Sequence, residues 1–255
     1  RKVYLYVVLA VSAIVASVAA SSFLSWLFRL EDFSGTPLAL MLVWGGLWAF
    51  HWWIENNEGQ LTELGASVRR LYIYGLALFG MVELVIGAAG VLRTAMNAAY
   101  EALFNASGVL ISYPALWSEA MRGSLSLILI GGLVWWWHWH RVAAGDVDST
   151  LRHVYLYLFA ILGGTAMVVS SLSVLLYRIL QWLIGSPGIT SARLHFDILP
   201  TLVSFVVVGG GLWGYHWAIV RQEATVAGRG LVAARRVYSY LVSAVGLVTL
   251  SVGLV

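Results

Sequence analysis

Apolar runs of about twenty residues follow one another along this chain, long enough to cross a bilayer as helices, and two short signatures mark their ends. Three runs close on Trp-x-x-His-Trp: Trp48-Ala49-Phe50-His51-Trp52, Trp135-Trp136-Trp137-His138-Trp139 and Trp213-Gly214-Tyr215-His216-Trp217. Each of these runs carries glycines upstream, at Gly45-Gly46, Gly131-Gly132 and Gly209-Gly210-Gly211. Four other runs open with basic residues before Tyr-x-Tyr: Arg1-Lys2 before Tyr4 and Tyr6, Arg69-Arg70 before Tyr72 and Tyr74, Arg152 before Tyr155 and Tyr157, and Arg235-Arg236 before Tyr238 and Tyr240.

Such runs have no period of two, so alternating strands of a barrel are excluded. The composition agrees. Of 255 residues, 60% are hydrophobic and 11% charged, and the mean hydropathy is +0.84. A soluble domain of that balance lacks the polar residues to cover its surface. The expected class is all-α, a polytopic transmembrane helical bundle. There is no cysteine, which rules out disulfides, thiolate metal sites and cysteine nucleophiles. The pI near 9.3 reflects membrane orientation, so no nucleic-acid partner is expected.

Seven spans are expected, at about 3–28, 37–54, 71–93, 124–141, 153–180, 198–220 and 236–255. Tyr-x-Tyr opens the odd spans and the histidine signature ends the even ones, which makes parallel two-helix repeats of about 1–68, 69–151, 152–234 and 235–255 within a single transmembrane domain. Tyr4, Tyr72, Tyr155 and Tyr238 step by 68, 83 and 83 residues. The chain opens at Arg1 without a methionine and stops at Val255 inside an apolar run. On the repeat pattern an eighth helix is expected in a full-length protein. The second hairpin carries an insertion, Thr94 to Arg122, read as an amphipathic segment in the interface. Ten basic residues fall on the side of the signatures and five on the other. The positive-inside rule then places the amino terminus and the His-Trp motifs on the cytoplasmic side of the cytoplasmic membrane.

Residues three apart on a helix share a face, so each signature histidine stands beside its own tryptophan. His51, His138 and His216 arrive at one depth on same-facing helices. Neutral imidazole is a common ligand, which makes these three the candidates for a haem or other tetrapyrrole. The competing reading is structural, and it is preferred: no cofactor and no metal, each histidine packed on its own helix, and Trp48, Trp52, Trp135, Trp139, Trp213, Trp217, Tyr4, Tyr72, Tyr155 and Tyr238 as interface anchors. Histidine pairs at two depths, which a di-haem site needs, are absent from the spans. Glu83 is the single acid placed deep in a span, where a carboxyl costs about 3 kcal/mol and is a functional candidate by default. Counted from the tyrosines, its counterparts are Val15, Ala166 and Thr249. Glu55, Glu58, Glu63, Asp146 and Asp148 read as solvated faces of turns. No metalloprotease, nucleophile-elbow, P-loop or dinucleotide motif occurs, so no catalytic residue is assigned.

The R-x-(L/V)-Y-x-Y opening, the arginine at the far end of the same helix (Arg29, Arg93, Arg178) and the G-L-W-x-(F/Y)-H-W close resemble the bacterial DUF5671 family of multi-pass membrane proteins. The resemblance extends over essentially the whole chain, and the second copy departs with Val134 and three consecutive tryptophans. It implies multi-pass helices and supplies no functional residues. The expected function is a non-enzymatic scaffold or accessory subunit, with the lipid bilayer and other membrane subunits as partners. The alternatives are a small-solute or proton-coupled transporter using Glu83, and a haem-binding membrane protein.

Overall fold

The structure, a computed structural model, describes residues 2–59, 62–104, 116–185, 188, 191–223, 236, 238–244 and 246–247. Among them every regular element is helical. Six helices are long and apolar enough to cross a membrane: α1 (Lys2–Leu27), α2 (Gly35–Asn57), α3 (Glu63–Phe104), α4 (Glu119–Val142), α5 (Thr150–Leu183) and α6 (Leu199–Glu223). These are the first six expected spans. Half of the seventh, 236–255, lies outside the described residues.

Local chemistry sets the ends. Ser34 and Ser118 precede α2 and α4, and their hydroxyls accept from the backbone N–H of Thr36 and Met121, satisfying donors that the first turn leaves free. After α1, Arg29 takes a left-handed conformation (φ 59). Its N–H donates to the Trp26 carbonyl, and that of Leu30 to the Ser25 carbonyl. This double closure is usually given to glycine, since a side chain at positive φ costs about 1–2 kcal/mol. The Phe28 and Arg29 carbonyls accept from Nη1 of Arg122, at 2.6 and 3.1 Å.

The expected interfacial segment Thr94–Arg122 is organised differently. α3 runs without a break through Arg93 to Phe104 and is 42 residues long, about 63 Å at 1.5 Å per residue. Residues 94–104 hold four alanines and no glycine or proline, so nothing in them stops a helix. Residues 105–115 lie outside the described residues.

The chain forms two compact units, Arg1–Ala144 and Gly145–Val255. In the first, α1 packs against α2, α3 against α4, and α1 also meets α3 and α4. In the second, α5 packs against α6. The helix crossings in both rest on glycine. A Cβ on Gly80 would lie 2.5 Å from the Trp135 nitrogen and 2.8 Å from the Gly131 oxygen. A Cβ on Gly164 would lie 2.7 Å from the Gly209 oxygen and 2.9 Å from the Trp213 nitrogen. Backbones that close leave no room for a side chain, and close approach is how helices gain contact where lipid gives no hydrophobic drive.

Two π-helical turns interrupt this regularity, Trp137–Val142 at the end of α4 and Tyr155–Ile161 near the start of α5. Each adds a residue to the helical register. Gly80 lies eight residues after Tyr72, whereas Gly164 lies nine after Tyr155, and the turn at Tyr155–Ile161 supplies the difference.

Candidate functional site

The two signatures meet. In the first unit the Nδ1–H of His138 donates to the Val134 carbonyl at 2.8 Å. A carbonyl only accepts, so that bond fixes the tautomer and leaves Nε2 bare. The Tyr72 hydroxyl donates to Nε2 at 3.1 Å, and Nε1–H of Trp48 donates to the Tyr72 oxygen at 2.9 Å. One chain of hydrogen bonds thus ties α2 to α3 to α4. Each of its buried polar groups has a partner, as low-dielectric surroundings require.

The other copies keep the same parts. Nδ1 of His51 bonds the Leu47 carbonyl at 2.8 Å, and Nδ1 of His216 bonds the Leu212 carbonyl at 2.9 Å. Each imidazole stands edge-on to the first tyrosine of its partner helix, with centroids at 6.4 Å for Tyr4–His51, 5.5 Å for Tyr72–His138 and 5.8 Å for Tyr155–His216. The histidine copies are therefore not self-contained. Each binds the carbonyl four residues back and leans on a tyrosine of the neighbouring helix.

The tryptophans divide. Trp48 stacks on Trp52 and Trp213 on Trp217, both pairs at 5.8 Å and 10°. In the second copy the π turn carries Trp139 inward, 3% exposed, to meet Tyr74 at 6.4 Å, while Trp135 packs against His140 at 5.2 Å. Tyr4 remains outside at 66% exposure, whereas Tyr72 and Tyr155 are buried between helices. Tyr238 packs on Tyr157 at 6.0 Å, much as Tyr72 packs on Tyr6 at 5.9 Å.

Ion pairs that sequence reasoning missed lie beside the signatures. Glu55 is buried, not solvated: its Oε1 accepts from the Tyr6 hydroxyl at 2.9 Å and from Nε of Arg69 at 3.0 Å. Glu58 pairs with Lys2. In the second unit Arg152 grips Glu223 with two nitrogens, Nε at 3.1 Å and Nη2 at 2.6 Å, and both side chains are nearly buried. The signal was present, with an acid four or seven residues after His51 and seven after His216, and a base two or three residues before each opening tyrosine. At the far end of α5, His195 in a short helical turn donates Nε2–H to the Arg178 carbonyl at 2.9 Å.

Glu83 sits on the α3/α4 crossing. A Cβ on Gly131 would fall 2.5 Å from the Glu83 Cβ, and one on Gly209 would fall 2.8 Å from the Met167 Cβ. Its counterpart in the second unit is therefore Met167, not Ala166, because the π turn shifts the register by one residue. Glu83 Oε2 is buried and accepts no hydrogen bond among the described residues.

Two apolar cavities open in the first unit. One of about 260 Å³ is walled by Ala13, Ser17, Gly45, Trp48, Trp137 and His138. The other, about 330 Å³, lies between α1 and α3 against Tyr6, Ile14, Leu71 and Phe79. Neither brings a nucleophile, a base and an oxyanion donor together. Among the described residues no three His, Asp or Glu side chains converge for a metal.

Six apolar helices, tied within each unit by aromatic and polar contacts, define a polytopic α-helical membrane protein. The model of the family described as a domain of unknown function, DUF5671, matches residues 70–199, just over half of the chain. The chain belongs to that family. The match starts at the second Tyr-x-Tyr opening and covers most of α3, all of α4 and α5, and the turn before α6. No curated protein and no solved structure matches the chain.

Proposed function

We propose that this protein is a non-enzymatic scaffold or accessory subunit of a larger membrane assembly, built from parallel two-helix repeats, with its amino terminus and His-Trp motifs on the cytoplasmic side. The observation that carries this reading is that the recurring polar side chains hold one another. Both nitrogens of His138 are engaged, and Glu55 and Glu223 hold arginines of neighbouring helices. Residues so occupied fasten helices and are themselves not poised for chemistry. An occupied Nε2 on His138 also speaks against haem ligation by that copy of the signature.

The bilayer and other membrane subunits are the partners in this reading. α2 presents Leu42, Val43, Phe50 and Trp53 outward, each at least 55% exposed, and nothing lies within 4 Å of a Cβ placed on the exposed Gly46. A second helix can approach closely there.

The chain has no cysteine, so a single one at Gly46 carries a photo-cross-linker without a background. In native membranes a discrete, stoichiometric protein adduct is expected. Lipid adducts alone would overturn the assembly role, and a Soret band in the pure protein would overturn the reading without a cofactor. For orientation, cysteines at Asn56 and Asp32 are expected to react from the cytoplasmic and the opposite face, respectively. Reaction of both from one side would break the orientation.

A further inference from the structure

We propose that Glu83 is an intramembrane proton-binding site, a carboxyl kept at the α3/α4 crossing to take up and release a proton. This goes beyond the structural role above and depends only on α3 crossing the bilayer, so either can fail without the other.

Three observations carry it. The first is depth. Glu83 lies eleven residues beyond Tyr72, about 16 Å along the helix axis. That is about half of a 30 Å hydrocarbon core when Tyr72 stands at its edge.

The second is that the carboxyl is not needed for packing. Glu83 and Met167 occupy matching places over Gly131 and Gly209, so a crossing of this geometry forms with a thioether in place of the acid. Methionine is unbranched, close in length to glutamate, and free of any desolvation cost. An acid in a place that a hydrophobe fills calls for a reason other than fit.

The third is the absence of a countercharge. The facing stretch of α4, Ser124 to Trp135, holds no ionisable residue, nor does α1 from Val7 to Leu27. α2 has His51 and Glu55 at its signature end, where Glu55 is already bound to Tyr6 and Arg69. The nearest arginines along α3 are Arg93 and Arg70, ten and thirteen residues from Glu83, Arg69 is bound to Glu55, and Arg122 at the start of α4 holds the Phe28 carbonyl. Oε2 accepts no bond from any described residue. An unpaired carboxylate in hydrocarbon lacks both a countercharge and a hydrogen-bond donor, and protonation removes the need for each. The event is one proton onto one carboxylate oxygen, with no other bond made or broken.

The test uses the full chain in lipid vesicles. Dicyclohexylcarbodiimide partitions into the bilayer and adds to protonated carboxyls there, whereas a water-soluble carbodiimide reaches only aqueous ones. The expected result is a dicyclohexylcarbodiimide adduct on the peptide containing Glu83, falling as the pH is raised, with no adduct there from the water-soluble reagent. Glu83→Met copies the second crossing and is expected to fold normally and lose the adduct completely. The proposal is overturned if the folded wild-type chain gives no adduct at Glu83, if the water-soluble reagent labels it equally, or if labelling does not change with pH. These readings come from the wild-type chain, so they stand even if the variant misfolds.

Discussion

In the hairpin α3/α4, Gly80 and Gly131 face each other and Glu83 overhangs the contact; in α5/α6 the same places fall to Gly164, Gly209 and Met167. The fastenings near the signatures differ as well. His138 is tied to Tyr72 and through it to Trp48, whereas α5 and α6 are joined by the buried grip of Arg152 on Glu223. The glycine crossing and the edge-on Tyr–His contact are common to both hairpins, and the buried Arg152–Glu223 pair is added in the second. Steric closeness therefore sets how the helices meet, and polar chemistry varies around it.

The largest expected effect tests the ion pair. Glu223→Ala leaves Arg152 buried without its partner and is expected to cost about 3–5 kcal/mol, read as a fall in the thermal midpoint of the detergent-solubilised chain. Glu55→Ala, in the pair that joins α2 to α3, leaves Arg69 about a third exposed and able to reach water, so its effect is expected to be smaller. Equal losses would erase this contrast between the two ion pairs.

Next comes the shared feature. Gly80→Leu and Gly164→Leu each drive a side chain into backbone, and each is expected to cost about 3 kcal/mol, the upper part of the range for overpacking. Limited proteolysis read peptide by peptide should show α3/α4 opening in the first variant and α5/α6 in the second. A variant that opens neither would show that the crossings are not what holds the hairpins.

A smaller change tests the tie. Tyr72→Phe removes the hydroxyl that links Trp48 to His138, for about 1 kcal/mol, since polar bonds between membrane helices are individually modest. A double-mutant cycle with Trp48→Phe is expected to give a coupling close to that whole loss. Additive effects would mean that the tie is not one unit. The smallest effect belongs to Glu83→Met, expected within about 0.5 kcal/mol of the parent or slightly stabilising, because it removes a buried polar group without changing the shape.

Much of the architecture is written in the sequence. Apolar runs bounded by Arg-x-x-Tyr and His-Trp place all six helices and give the ends of five of them to within about five residues, α3 being the exception, because length in hydrocarbon is a strong constraint. The run past Arg93 was missed because an arginine resembles an end, although the alanines after it favour a helix. Pairing was less readable. That His138 meets Tyr72 depends on which helices adjoin, and spacing on one helix does not reveal it. Glu55 reads as solvated because its partners Tyr6 and Arg69 come from two other helices. The counterpart of Glu83 is displaced by a residue because a π turn leaves no mark in composition: Tyr155 to Ile161 is an ordinary apolar stretch.

The chain of bonds from Trp48 through Tyr72 to His138 also orders the protein in time. Helices leave the ribosome in sequence, so α2 reaches the bilayer while neither its acceptor on α3 nor the final acceptor on α4 has been made. The first hairpin can form its own contacts early, but its indole N–H has nowhere to settle until the third helix enters, and the tyrosine proton has no imidazole until the fourth does. This chain of bonds is thus completed only when His138, near the end of α4, has been made. A chain halted before residue 138 would hold α1 to α3 and an unfinished bond, a partly folded state of the kind that exposes surface the finished unit covers.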